Sequence, residues 1–86
     1  MNTHSKSEYS IPLPARRALR RLGNDIRVAR LSRGVSVAGL AERAAVSRSL
    51  LIGIERGQPS VPIGVLVSVL YVLDMEDRLA VLADPT

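Results

Sequence analysis

The chain of 86 residues has no cysteine, no phenylalanine and no tryptophan, and its only aromatic side chains are Tyr9 and Tyr71. Without thiols there are no disulfides, thiolate metal ligands or cysteine nucleophiles. Two isolated tyrosines are too few for the aromatic platforms on which single-stranded nucleic acids stack. The core must therefore be built from Leu, Val, Ile and Ala. Long apolar runs are also missing: residues 63–73 have the length of a buried helix, well short of the about 20 residues that cross a bilayer. The N-terminus is polar and has no signal-peptide core, so a cytoplasmic protein with no membrane contact is expected. The single histidine, His4, stands in that polar segment with no catalytic constellation around it. No enzyme, cofactor or metal site is expected. The acidic residues Asp74, Glu76 and Asp77 read as groups that cap and favour the positive end of a last helix.

What is present is basic charge, unevenly placed. Residues 1–59 carry eleven Lys or Arg against four Asp or Glu, whereas residues 60–86 carry one against four. A basic surface releases counterions from phosphates and a mildly acidic one does not, so the first part is expected to face a polyanion and the second to face away. A chain this short buries a limited share of its surface, which makes a partner subunit useful.

Residues 1–13 are polar, contain Pro12, and show no period; they read as a flexible N-terminal arm ahead of one domain over residues 14–86. From residue 15 to residue 33 Ala15, Ala18, Leu19, Leu22, Ile26 and Ala29 recur at spacings of three and four, the period of a helix. Pro14 suits its start and Gly34 its end. Arg16, Arg20 and Arg27 fall on one flank of this helix, Arg17 and Arg21 on the other. Ser36 offers an N-cap to a second helix with Val37, Leu40, Ala41 and Ala44 on its inner face, and Ser47 caps a third in which Leu51 and Ile54 point inward. Gly57 closes the third helix in a left-handed conformation. Neither cap is a full capping box, since Gly39 and Leu50 stand where Glu or Gln would reach back. A fourth helix runs from Pro62 to about residue 73 and a fifth over residues 76–83. The expected fold is all-α, with five helices and no repeats.

Two short helices joined by a tight turn over residues 36–57 are the arrangement that delivers a helix into a DNA groove. Leu22-Gly23, Ser36-Val37, Leu40-Ala41-Glu42, Val46-Ser47-Arg48 and Ile54-Glu55-Arg56-Gly57 fall in register, and together they resemble the Cro and lambda-repressor-like helix-turn-helix proteins, the XRE family. The likeness spans about residues 20–83. It implies base reading from the first two positions of helix three and one a turn later, here Arg48, Ser49 and Gly53. Arg48 has the fork for guanine O6 and N7, and equally for a phosphate; Ser49 is a weaker reader and Gly53 has nothing to read with. The resemblance implies backbone contacts from Ser36, Arg56, Gln58 and Ser60, with Val37 and Ser47 also among the DNA-binding positions, although Val37 replaces the polar residue usual there. It also implies a structural ion pair between Arg30 and Glu55, tying helix one to helix three and turning Arg30 toward a phosphate.

Val28, Leu31, Leu50 and Ile52 are apolar where the family tends to be polar. They serve either an interface or an enlarged core, and Ile52 is the one expected to be most buried. Residues 54–85, together with residues 14–23, resemble HipB-type antitoxins. That likeness implies a transcriptional repressor that binds a palindromic operator as a homodimer, autoregulates its operon and neutralises a HipA-like kinase toxin. The alternatives are a stand-alone regulator and an interaction module that has lost specific DNA reading. Arg16, Arg17, Arg20, Arg21 and Arg27 are open between DNA and toxin. Val65, Val69, Tyr71, Leu73, Leu79 and Leu82 are candidates for dimer contacts, with Leu66 and Leu70 sharing the ambiguity between core and interface.

Overall fold

The computed structural model describes residues 10–85 and, among them, contains five helices and no strand. They are α1 (Leu13–Ser32), α2 (Val37–Ala44), α3 (Arg48–Glu55), α4 (Ile63–Val72) and α5 (Glu76–Ala80). Nine residues of the expected arm, with His4 and Tyr9 in it, lie outside the described residues. Helix α1 starts at Leu13, inside the span read as arm. Pro12 is its N-cap and its carbonyl accepts the Arg16 N–H, so the prolines begin the helix. Residues 81–83, expected to prolong α5, are turn. With α5 only five residues long, it has too few internal hydrogen bonds to propagate.

Local chemistry explains where the helices begin and end. Ser36 Oγ accepts from Gly39 N at 3.0 Å and Ser47 Oγ from Leu50 N at 3.1 Å, the two caps that the sequence pattern predicts. The first four helices share one way of stopping. In α1 the Gly34 N–H reaches Leu31 O and Val35 N–H reaches Arg30 O, the paired bonds of a Schellman motif. The same pair recurs at Ala45 and Val46, at Gly57 and Gln58, and at Asp74 and Met75. Each motif needs a left-handed residue. Gly34 and Gly57 supply it freely at φ 67° and 76°, while Ala45 and Asp74 adopt it with side chains attached, at φ 56° and 61°. Asp74 thus closes α4 and does not cap α5. Glu76 and Asp77 do stand in the first turn of α5, where the helix dipole favours them.

The core is one cluster drawn from all of α1 to α4: Ile26, Leu40, Ala41, Ala44, Leu51, Ile54, Val69, Leu70 and Leu73, with Met75 below them. Val69 and Leu73, named as candidate dimer contacts, belong to it and have no surface to offer a second copy. Val65 and Leu79 are half-buried, whereas Tyr71 and Leu82 are 69% and 75% exposed. The buried stripe of α1 is Gly23, Ile26 and Arg30; Ala15 and Ala18, expected on that face, are exposed, because among the described residues the core does not extend to the first turns. Gly23 is where α1 and α3 cross: a Cβ there would lie 2.7 Å from the Glu55 carbonyl oxygen. Arg33 fastens the other end, donating through Nη1 to Ala29 O and through Nη2 to Leu73 O, so one guanidinium binds the last carbonyls of both α1 and α4. Among the described residues, no helix is long and apolar enough to cross a membrane.

Candidate nucleic-acid interface

The core faces of α2 and α3 determine what their other faces can do. Leu51, Gly53 and Ile54 point inward from α3, so its outward face is the stripe Arg48, Ser49, Ile52 and Arg56, all exposed. Arg48, Ile52 and Arg56 are spaced by four, which stacks them on one side of the helix. Ile52 is therefore a correction. It is 38% exposed, the opposite of the burial expected of it. Gly53 is a second correction: it is buried, and a Cβ there would lie 2.7 Å from Gln58 Oε1 and 3.5 Å from Val61. At that turn of α3 it is Ile52, and not Gly53, that lies on the outward face. Val28 and Leu31 are exposed as well, and only Leu50 of that apolar group is partly buried.

Two shallow grooves flank this stripe. The first, about 690 Å³, brings Ser36, Ser47 and Arg48 together with Gly39 and Glu42. Ser36 Oγ serves the Gly39 N–H, which leaves the amides of Val37 and Ala38 in the first turn of α2 without an intrahelical acceptor, and Ala38 lines the groove. Val37 contributes that amide while its side chain packs partly against the core. Glu42 is the unfavourable member, a carboxylate on a surface otherwise suited to an anion. The second groove, about 240 Å³, is lined by Arg16, Arg20, Arg56, Gly57, Gln58 and Pro59. It collects two of the sequence-predicted contacts, Arg56 and Gln58, and two of the five undecided arginines. Arg17, Arg21, Arg27, Ser49 and Ser60 are exposed but line neither groove.

The helix carrying the stripe is held from behind by Arg30 and Glu55. Arg30 Nε donates to Glu55 Oε2 at 2.7 Å and Nη2 to Oε1 at 3.0 Å, a two-pronged pair with each side chain 8% exposed. Arg30 Nη1 donates to Val35 O at 3.0 Å, which adds the loop before α2 to the same knot. Hydrogen bonding to Glu55 raises the Arg30 pKa above its ordinary value, against the opposing effect of burial. The pairing is the one the resemblance implied. Three of the five guanidinium donors are committed to α3 and to the loop before α2.

Three features thus coincide: α3 presents an outward stripe that carries Arg48 and Arg56, the first turn of α2 lines the groove beside Arg48, and a buried ion pair locks α3 to α1. A family model described as a helix-turn-helix domain matches residues 17–82, which takes in α1 from Arg17 onward and all of α2 to α5. The chain belongs to the helix-turn-helix domain family. No curated protein matches it. Within the helix-turn-helix frame, α2 and α3 are the paired helices and α3 is the one placed for the groove. The left-handed Ala45 makes the turn between them. Sequence reasoning missed Ile52 as an outward residue of α3 and Arg33 as a helix fastener. A signal for the first was available, because a helix with Leu51 and Ile54 inward leaves position 52 outward.

Proposed function

We propose that this helix-turn-helix protein is a sequence-specific transcriptional repressor that binds a palindromic operator as a homodimer. The observation that carries the reading is the outward stripe of α3, with Arg48 and Arg56 exposed, free of carboxylate partners among the described residues, and bracketed by two anion-compatible grooves. Arg48 reads a guanine edge through two parallel hydrogen bonds, a contact worth about 1–3 kcal/mol of discrimination. Ile52 meets a thymine methyl, the contact apolar side chains make in the major groove. Ser36, Ser47, the Val37 and Ala38 amides, Arg56, Gln58 and Ser60 hold the backbone and set the register. Symmetry places the two α3 helices about 34 Å apart.

The dimer reading is supported by apolar side chains left outside the core on the acidic C-terminal part, Tyr71 and Leu82 above all, with Val65 and Leu79 at its margin. The likeness of residues 54–85 to HipB-type antitoxins supports a second partner, a HipA-like kinase toxin encoded beside this chain. The test is a mobility-shift titration of the full chain on the duplex upstream of its own gene and on a scrambled duplex of equal composition, with sedimentation of the free protein and of the complex. Selective retention of a two-protomer complex is expected. Binding indifferent to sequence would replace the repressor with an interaction module, and failure of the neighbouring gene product to co-sediment would leave a stand-alone regulator.

A further inference from the structure

Of the arginines that the sequence leaves undecided, Arg16 and Arg20 are separated from Arg17 and Arg21 by the way α1 crosses α3. Gly57, at φ 76°, lies so close to α1 that a Cβ there would stand 2.7 Å from Arg20 N and Cα. The α1 main chain at residues 19 and 20 is therefore seated on the turn that ends α3. From that crossing Arg20 and, one turn earlier, Arg16 project along the same side as Arg56. Arg17 and Arg21 are each one residue on, rotated by about 100°, and line no part of the cleft.

The result is a cleft of about 240 Å³ with three guanidinium side chains, one amide side chain and the main chain of residues 57–59, and no carboxylate in its lining. None of the three arginines has an ion-pair partner among the described residues, where the Arg30–Glu55 pair is the one salt bridge. Three like charges lining one cleft, with no carboxylate partner among the described residues, favour a bound anion. Through Arg56 the cleft is continuous with the stripe of α3. Arg48 and Arg56 are about 12 Å apart along the helix axis at 1.5 Å per residue, a distance that spans three to four nucleotides at about 3.4 Å of rise each.

We propose that Arg16, Arg20 and Arg56 form a clamp for DNA backbone phosphates flanking the bases read by α3, so that the first half of α1 extends the footprint beyond the helix pair. The inference rests on the DNA-binding reading above and deepens it. An acidic protein surface seated in the same cleft would cover the end of the reading stripe and compete with duplex, which makes it an outcome of the test.

The experiment measures affinity of the full chain for the upstream duplex and for the scrambled duplex across a salt series, in the wild type, in Arg16→Ala/Arg20→Ala and in Arg17→Ala/Arg21→Ala. Each phosphate neutralised contributes about 0.9 to the slope of log K against log salt. The Arg16/Arg20 variant is expected to lose one to two such units and to bind roughly 10–100-fold more weakly near 100 mM salt, on both duplexes alike, with unchanged circular dichroism. The Arg17/Arg21 variant is expected to keep most of the slope. Equal losses in the two variants would show general charge and overturn the clamp. Selective wild-type binding with an unchanged slope in the Arg16/Arg20 variant would also overturn it while leaving the repressor standing. Binding without sequence preference that still depends on Arg16 and Arg20 would sustain the clamp and sink the repressor. A wild-type chain that retains no duplex would dispose of both.

Discussion

Removing Glu55 tests the central joint of the fold. In Glu55→Ala the Arg30 guanidinium keeps its bond to Val35 O but loses both bonds to the carboxylate, in a place where its side chain is 8% exposed. Leaving one member of a buried pair without its partner costs about 3–5 kcal/mol, most of it the uncompensated charge. A chain of this length has roughly 4–13 kcal/mol to lose. At about 4–8 °C per kcal/mol for a domain this small, the melting midpoint should drop by roughly 12–40 °C. The cost should change little with salt, because a buried pair is screened much less than surface charges. It should also be independent of moderate alkali: the folded-state pKa of Arg30 is raised, so its contribution is complete below the pKa of unfolded arginine and is lost only as pH climbs through the higher folded value.

Thermal melting followed by circular dichroism reads the effect, and Glu55→Gln, which retains an acceptor for Arg30, should lose less. The double variant Arg30→Met/Glu55→Leu should recover much of the loss, since apolar replacement of a buried pair is often neutral or better. A drop below about 1 kcal/mol in Glu55→Ala, or no recovery in the double variant, would refute the view that a buried charge is what the pair compensates. DNA affinity should fall with stability in Glu55→Ala and return with it in the double variant.

Other outcomes follow from the same geometry. Ser36→Ala and Ser47→Ala each remove a side-chain cap from a helix of eight residues and should each cost about 1 kcal/mol in urea unfolding. Gly23→Ala forces a methyl group against the Ile54 and Glu55 carbonyls; because main chain must give way, a loss of about 1–3 kcal/mol is expected on melting, and full retention of stability would contradict the close crossing of α1 and α3. Ala45→Gly relieves the left-handed strain at φ 56° and should raise the melting temperature by an amount equivalent to about 0.5–1 kcal/mol. Ile52→Asn should leave melting nearly unchanged and alter the preferred base at one position of each half-site, as read by binding-site selection; an unaltered preference would remove Ile52 from the reading surface.

The starts of α2 and α3 and the stops of α1 and α3 were legible in the residues because they are settled within one turn of chain. Ser36, Ser47, Gly34 and Gly57 do in the folded protein what their local chemistry predicts, and Leu40, Ala41, Ala44, Leu51 and Ile54 keep the inward side their spacing assigns. The Arg30–Glu55 bond joins positions 25 apart; no local pattern reaches that far, and it was foreseen only through resemblance to a family. Ala45 and Asp74 gave no glycine signal for their left-handed turns. Their conformation follows from the Schellman bonds that the chain makes on either side of them.

The sequence by itself determined the number of helices, the Ser36 and Ser47 caps and the basic character of the N-terminal part, since each depends on neighbours within a few residues. Only the tertiary structure decided which side chains those helices spend on one another. Val69 and Leu73 went into the core while Tyr71 and Leu82 stayed outside, Ile52 replaced Gly53 on the outward face of α3, and Arg33 was drawn into fastening α1 to α4. The reason is that a helical period identifies a face without saying what will cover it. That is settled where elements cross, as at Gly23 and Gly57, and the second of those crossings gathers Arg16, Arg20 and Arg56 into one cleft while leaving Arg17 and Arg21 apart.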